Sequence, residues 1–327
     1  MTGAPVRIGV LPIEGFALMS YASLVEPFRA ANLLARRPLY VMTDLSPDGR
    51  PVASSGAALV APGASFDTAP GLDYLFVVAG GDPMRFDDRR VFAWLRRQAR
   101  AGVLLGGVSG GPVILARAGL MAGRRMTVHW EHADALTELA PTLMIERSLF
   151  VIDRDRVTCA GGTAALDLAH ALIARHHGAA FASLVSDWFL HTEIRPPVGA
   201  QRRGLAARLG TTHPALLAAV RAMESHLADT LSLGQLAAIA GVTPRQLNRL
   251  FRDKIGRSTM THYRRLRLEK ARGLIANSPL PLTEIAVATG FASPAHFSRA
   301  FRDAYGQPPS ALRRGGSESS DDTKAAV

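Results

Sequence analysis

Between residues 5 and 190, apolar runs of strand length alternate with longer runs in which apolar residues recur every three or four positions. Residues 6–11, 40–43, 58–60, 74–78, 103–108 and 157–159 are apolar almost without interruption, the pattern of strands covered on both faces. Residues 20–34, 88–101, 111–117 and 163–176 carry the helical period. Strands alternating with helices predict an α/β domain over residues 1–195, built on a doubly wound, mostly parallel sheet. Ligands of such sheets lie beyond the carboxyl ends of the strands. Here that means the loops 12–19, 80–84 and 108–112.

The pattern changes at Pro196-Pro197. Residues 196–212 hold Pro, Gly, Arg and Gln with little periodicity and read as a linker. From 213 to 315 the periodic runs are all helical, so an all-α domain is expected there. Two of its runs are the same helix written twice, fifty residues apart. Thr243-Pro-Arg-Gln-Leu-Asn-Arg-Leu-Phe-Arg-Asp-Lys-Ile-Gly256 recurs as Ser293-Pro-Ala-His-Phe-Ser-Arg-Ala-Phe-Arg-Asp-Ala-Tyr-Gly306. Each copy opens with a hydroxyl N-cap and a proline at the first helical position. Each follows a small-residue amphipathic run, 233–240 before Gly241 and 282–289 before Gly290. A short helix, a glycine turn and a second helix exposing polar side chains is the helix-turn-helix layout. Between the copies, residues 258–277 read as a connecting helix with Tyr263, Leu266, Leu274 and Ile275 roughly on one face. About twenty helical residues span roughly 30 Å, against about 34 Å between successive major grooves on one side of a duplex. A repeated protein-binding bundle is the competing reading, but two repeats are fewer than the roughly three a solenoid needs.

Charge favours the duplex. Residues 201–327 hold 19 Lys+Arg against 9 Asp+Glu, whereas residues 1–200 hold 19 Arg against 18 acids. Nearly all of the net +11 therefore sits with the duplicated motif, as phosphate binding requires. At 327 residues two domains are expected. One cysteine, Cys159, excludes a disulfide scaffold and fits a reducing compartment. The N-terminus lacks the basic stretch and apolar core of a signal peptide, and no apolar run approaches the roughly twenty residues of a membrane span. A cytoplasmic protein without a membrane partner is expected. Residues 316–327, rich in Ser and Asp, read as a disordered tail.

Residues 216–314, with both units and the Gly-Phe-Ala-Ser-Pro-Ala-His-Phe-Ser-Arg run at 290–299, resemble the AraC/XylS family of transcription regulators. By that resemblance Arg245, Gln246, Asn248 and Arg249 of the first reading helix meet base edges or phosphates, as do Ala295, His296, Arg299 and Arg302 of the second. Ala295 departs from the polar residue often found there, so the second unit is expected to read fewer bases. Leu247, Phe251, Phe297 and Phe301 fall on the opposite face and read as core.

In the first domain, Gly107-Val-Ser-Gly-Gly111 follows a strand, opens a helix and matches the G-x-S-x-G nucleophile elbow. A serine hydrolase with Ser109 as nucleophile is thus the alternative function, with Asp153 or Asp167 and His170 or His176 as partners on paper. A second resemblance covers more of the domain. The run Gly15-Phe-Ala-Leu-Met-Ser-Tyr, Val77-Val-Ala-Gly-Gly81, Ser109-Gly-Gly-Pro112, Met126-Thr-Val-His-Trp130 and Thr158-Cys-Ala-Gly-Gly162 are similar to the PfpI-type, glutamine-amidotransferase-like domain, which has a flavodoxin-like fold. In GlxA-type regulators this domain precedes an AraC-type one. Enzymes of the superfamily place a cysteine at the elbow and an acid after the first strand. Here those positions hold Ser109 and Ser20 or Met19, and the histidine position alone persists, as His129. A hydroxyl without an oriented base has little to activate it, so no catalytic residue is assigned.

The resemblance implies a DNA-binding transcriptional regulator, an activator by family precedent, whose effector is a small amino-acid-like or quaternary-ammonium metabolite. Backbone N–H groups of Gly110 and Gly111 at a helix start suit a carboxylate, and a bulky side chain at Gly110 is expected to block its approach. Phe16, Trp130, Glu14 and Glu131 suit an alkylammonium end. Ser109 and His129 complete the expected ligand site. His129-Trp-Glu-His132 and His176-His177 lack a third ligand at fixed spacing, so no metal or other cofactor is expected. Expected partners are double-stranded DNA, the effector and RNA polymerase, with a homodimer left open.

Overall fold

In the computed structural model, which describes residues 4–314, the chain forms two compact units that divide between Gln201 and Arg202. The expected tail, 316–327, lies outside the described residues. The first unit runs β1 (Val6–Pro12), α1 (Leu18–Ala35), β2 (Tyr40–Ser46), β3 (Val52–Ala53), β4 (Leu59–Val60), β5 (Ala64–Ser65), β6 (Tyr74–Ala79), α2 (Arg89–Arg100), β7 (Leu104–Ser109) and α3 (Gly111–Arg117). It continues through β8 (Arg125–Thr127), α4 (Trp130–Leu139), β9 (Met144–Glu146), β10 (Phe150–Asp153), β11 (Arg156–Cys159), α5 (Ala164–His177) and α6 (Ala179–Trp188). Seven strands form one sheet in the order β10-β11-β7-β6-β1-β2-β5, parallel except for β10 against β11.

The doubly wound α/β fold of the first unit follows from its uninterrupted apolar strands. Ile8, Val10, Leu11, Leu75, Phe76, Val77 and Val78 are at most 1% exposed, so both faces of the sheet are covered. The chain leaves β1 towards β2 on one side and returns to β6 on the other. That reversal opens a crevice beyond the carboxyl ends of β1 and β6. The run 58–60, read as a sheet strand, instead supplies β4, which pairs antiparallel with β3 outside the main sheet. The parallel pair β8–β9 also lies outside it; three residues each are too few to show a period.

The second unit is helical: α7 (Leu205–Leu209), α8 (Pro214–Ser225), α9 (Leu233–Ile239), α10 (Pro244–Ile255), α11 (Thr259–Asn277), α12 (Leu282–Ala288) and α13 (Pro294–Tyr305). Capping boxes start α9 (Ser232 with Gln235) and α10 (Thr243 with Gln246), and the Ser258 and Ser293 hydroxyls cap α11 and α13. Leu216, Val220, Met223, Leu236, Leu247, Phe251 and Tyr263 form the first core. A second aromatic row, Phe291, Phe297, Phe301 and Tyr305, stacks at centroid separations of 5.3, 5.7 and 4.7 Å. Helix α11 packs on α8 and α10 and also on α12 and α13. Of the residues read as linker, 196–201 fall in the first unit, and Leu205 and Leu209 pack on the core of the second. No helix among the described residues is long and apolar enough to cross a membrane.

One polar contact ties α5 to the sheet. His176 Nδ1 lies 3.1 Å from the Tyr40 hydroxyl and Nε2 lies 3.0 Å from the Tyr74 hydroxyl, so a neutral ring accepts from one phenol and donates to the other. Burial lowers the His176 pKa, with His177 and Arg175 adding to the shift. The folded pKa is therefore below the unfolded value of about 6.5. The unfolded chain takes up the proton first, and the stability that the ring confers is complete above that pH and lost as pH falls. His176→Phe is expected to cost about 1–3 kcal/mol near neutral pH. In urea titrations the gap between variant and parent should narrow on acidification; a gap that widens would contradict this account.

Candidate functional site

Ser109 ends β7 with φ of 60°, a left-handed conformation that is strained for a side-chain-bearing residue. The strain is held by close packing. A Cβ on Gly111 would lie 2.0 Å from the Val77 carbonyl oxygen, so α3 starts directly against β6. Gly110 N–H donates to the Ala79 carbonyl at 3.0 Å, and a Cβ there would lie 2.9 Å from Pro83 Cγ. Both facts change the expected carboxylate site. The Gly110 donor is already used within the fold, and a bulky residue at 110 would press on Pro83 rather than simply fill a ligand's place.

Around the elbow the structure gathers residues that are far apart in sequence. A Cβ on Gly161, which has φ of 86°, would lie 2.6 Å from Ser109 Cβ and 2.7 Å from Ser20 Oγ. Ser20 Oγ accepts the Gly162 N–H at 2.7 Å. Of the two residues expected at the position of the superfamily's acid, Ser20 is thus a buried hydroxyl that holds the loop after β11, and Met19 is exposed. His129 N–H donates to the Ser109 carbonyl at 3.3 Å and brings the start of α4 to the elbow. No hydrogen bond joins the Ser109 hydroxyl to an imidazole among the described residues.

The expected ligand residues separate into groups. Phe16 is 0% exposed with its ring against Tyr21 at 5.2 Å, so it is a core residue rather than a face for a cation. Glu14 is exposed and accepts the Ala53 N–H at 3.3 Å, pinning its loop to β3. Trp130 is 39% exposed beside His129, their ring centroids 5.3 Å apart. Glu131 Oε2 lies 3.7 Å from His129 Nδ1. Burial lowers the His129 pKa against the opposing pull of Glu131. His132 is pushed down to about 4 by burial and by His129. The fold therefore adds Glu131 to the two histidines, and ligand atoms of all three lie within 4.8 Å of one another.

The other acids and histidines considered for a hydrolase have different partners. Asp153 accepts the Arg125 N–H, His170 pairs with Ser186 at 2.9 Å, and His176 holds two tyrosines. Asp167 has no exposed side-chain surface. It accepts from Arg195 N, Nε and Nη2 at 2.9, 2.9 and 2.6 Å and meets His191 Nε2 at 3.0 Å. A small cavity lined by Pro27, Leu166, His170, Val185, Ser186 and Phe189 lies beside this cluster and includes no elbow residue. Cys159 is no substitute nucleophile, since burial raises its thiol to about 12.

Sequence reasoning passed over the segment that follows α6. Arg195 Nη2 also reaches Thr163 Oγ1 at 2.9 Å, Pro197 O accepts the Leu149 N–H at 2.8 Å, and Gln201 Nε2 lies 3.0, 3.1 and 2.7 Å from Thr127 Oγ1, Val128 O and Ser148 O. Residues 191–201 thus form a strap. One anchor adjoins the Gly161-Gly162 turn and the other adjoins His129.

In the second unit Arg245, Arg249, Arg299 and Arg302 are exposed along α10 and α13, and none pairs with a carboxylate among the described residues. In the first unit Arg7, Arg29, Arg90, Arg124, Arg125 and Arg195 are in ion pairs, while Arg36, Arg37, Arg89, Arg97 and Arg100 are exposed without one among the described residues. Leu247, Phe251, Phe297 and Phe301 are buried beneath the arginine faces. Gln246 Oε1 accepts from the Thr243 N–H and hydroxyl, leaving its amide NH₂ for a ligand. Asn248 is half-buried and its Oδ1 accepts the Thr259 N–H at 3.1 Å, which fixes the start of α11. Ala295 and His296 are exposed, the imidazole edge-on to Phe291 at 5.6 Å. Arg267 Nε donates to the Thr289 carbonyl at 2.7 Å and its guanidinium covers the Phe291 ring at 4.2 Å, bracing the second turn.

Residues 7–175 match the DJ-1/PfpI family, and residues 236–315 match a helix-turn-helix domain. The chain is 48% identical over 309 residues to the HTH-type transcriptional regulator GlxA of Rhizobium meliloti (strain 1021), covering 94% of this chain and 95% of that protein. The chain belongs to the HTH-type transcriptional regulators that carry a DJ-1/PfpI domain. Within them it is also 42% identical over 301 residues to CdhR of Pseudomonas aeruginosa, covering 92% of this chain and 89% of that regulator. A crystal structure of an AraC family transcriptional regulator from Pseudomonas putida superposes with a TM-score of 0.52 at 28% identity, covering 57% of this chain and 100% of that one.

For an HTH-type regulator the exposed, unpaired arginines have a direct consequence. Arg249→Ala and Arg299→Ala should each weaken duplex binding by about 1–3 kcal/mol where the guanidinium makes a bidentate base contact. A phosphate contact would instead reduce the salt slope by about one. Mobility-shift titrations across a salt series separate the two; wild-type affinity and slope in both variants would remove these residues from the interface.

Proposed function

We propose that this regulator binds duplex DNA through α10 and α13 and senses a small amino-acid-like or quaternary-ammonium metabolite beside the Ser109 elbow, acting in the cytoplasm as an activator that engages RNA polymerase. The observation that carries the DNA-binding half is the row of arginines without carboxylate partners on both reading helices. It is supported by a connector of nineteen residues, about 28 Å of helix, close to the groove repeat of about 34 Å. Arg245, Gln246, Arg249, Ala295, His296, Arg299 and Arg302 contact the duplex, while Asn248 positions α10 against α11. The effector meets Ser109, Gly111, His129 and Trp130, with Glu131 as the carboxylate for an ammonium end.

The first unit works as a receptor and not as an enzyme. Ser109, His129 and Glu131 are the three groups a hydrolase would use. The His129–Glu131 separation of 3.7 Å is too long for a hydrogen bond, and Glu131 is exposed to solvent screening. Fluorophosphonate should therefore leave the protein unlabelled at Ser109. Stoichiometric labelling that disappears in Ser109→Ala would replace the receptor by a hydrolase.

The strap carries the signal. An effector shifts a regulator between states by as much as its affinity for them differs, and the strap touches the elbow's neighbours at Thr163 and at Thr127–Val128 before the chain continues into the second unit. Gln201→Ala removes one anchor and leaves the elbow residues in place. It should retain effector-induced thermal stabilisation in a screen of amino acids and betaines, and lose the effector's influence on DNA affinity. A Gln201→Ala protein with the full effector response in DNA binding would rule out this route.

A further inference from the structure

We propose that His129, Glu131 and His132 form a binding site for a divalent first-row transition metal ion. The three lie on one turn: His129 precedes α4, and Glu131 and His132 fall within its first three residues. Their ligand atoms lie within 4.8 Å of one another. Ligands held about 2.0–2.2 Å from one ion are themselves roughly 3–4 Å apart, so small side-chain rotations close the set. Two imidazoles and one carboxylate are a ligand set that first-row metals favour, and it leaves coordination positions open.

A second observation points the same way. His132 is 3% exposed, and its Nδ1 has no hydrogen-bond partner among the described residues. Buried polar atoms are nearly always partnered, and one that is not calls for an explanation such as an ion. Glu131 is similarly uncommitted: His129 is its one ion-pair contact among the described residues, and no arginine or lysine takes its place. Of the other histidine pair of this unit, His176 has both ring nitrogens taken up by tyrosine hydroxyls. His177 Nε2 is also without a partner, but no carboxylate or second imidazole is grouped with it as a ligand set among the described residues.

The backbone fixes the site in place. His129 N–H is bonded to the Ser109 carbonyl and His132 N–H to the His129 carbonyl at 2.9 Å. A bound ion would thus stand on the elbow's own hydrogen-bond network. The metal site shares His129 and Glu131 with the effector reading, but its test stands apart from that reading, since metal uptake is measured with neither effector nor DNA present.

The test uses the full-length protein after treatment with a chelator and titration with Co²⁺, then Zn²⁺. One equivalent of Co²⁺ should bind with a visible d–d band, and Zn²⁺ should displace it. His132→Ala should abolish the band. Glu131→Gln, at an exposed position that leaves the fold intact, should weaken Co²⁺ binding at least about tenfold. Circular dichroism separates loss of a ligand from loss of the fold in His132→Ala; if that variant is unfolded, Glu131→Gln decides. A parent protein that takes up no stoichiometric Co²⁺, or a folded Glu131→Gln protein with parental affinity, would overturn the proposal.

Discussion

The buried carboxylate of Asp167 is the constraint on which much of the first unit depends. A charge with no solvent exposure is unfavourable unless paired and hydrogen-bonded, and removing a partner from such a pair costs on the order of 3–5 kcal/mol. Asp167 obtains its partners from Arg195 and His191, residues that belong to no helix or strand. The requirement runs in both directions. The carboxylate at the start of α5 needs the strap, and the strap has a fixed course because the carboxylate holds it. The same helix start carries the Gly161-Gly162 turn that packs on Ser109 and Ser20, so the elbow and the last residues of the unit are fixed by neighbouring bonds.

Charge is used differently in the two units. In the first, arginines and acids are nearly equal in number, and many of them are paired across the surface. Surface pairs of this kind contribute little stability each, but they leave little net field. In the second, the arginines of α10 and α13 are left without acids. The contrast gives one chain a face that attracts phosphate and a domain that does not compete for it.

Strands β1, β2, β6, β7 and β11, helices α1, α2, α3 and α5 and the duplicated reading helices were legible because apolar runs and helical periods mark them, whereas β5 and β10 of the sheet and helices α4 and α6 went unread. Leu247, Phe251, Phe297 and Phe301 were legible as core for the same reason. The short β8–β9 pair was not, since three residues carry no period. Phe16 was read as a ligand face because an aromatic residue in a loop looks the same in sequence whether it points in or out; here it closes the core against Tyr21. The strap was passed over, with its residues 196–201 read as linker, because its bonds run to Asp167, Thr127 and Ser148, partners that are 28 to 74 positions away. The carboxylate site at Gly110 was drawn from the motif alone, and the motif does not say that Ala79 takes the N–H. The union of Glu131 with His129 and His132 depends on how α4 begins, which spacing alone leaves undecided.

Helix α11 has a consequence for cooperativity. It contributes Tyr263 to the first core of the helical unit and packs against α12 and α13 in the second, in one unbroken run of nineteen residues. Segments that share an element open together, whereas segments joined by a loop can open separately. Melting of either helix-turn-helix would fray the helix that supports the other, so the two are expected to open together. A regulator built this way meets its operator with both reading helices formed, and the ordering cost of the pair is met during folding and not at the moment of binding.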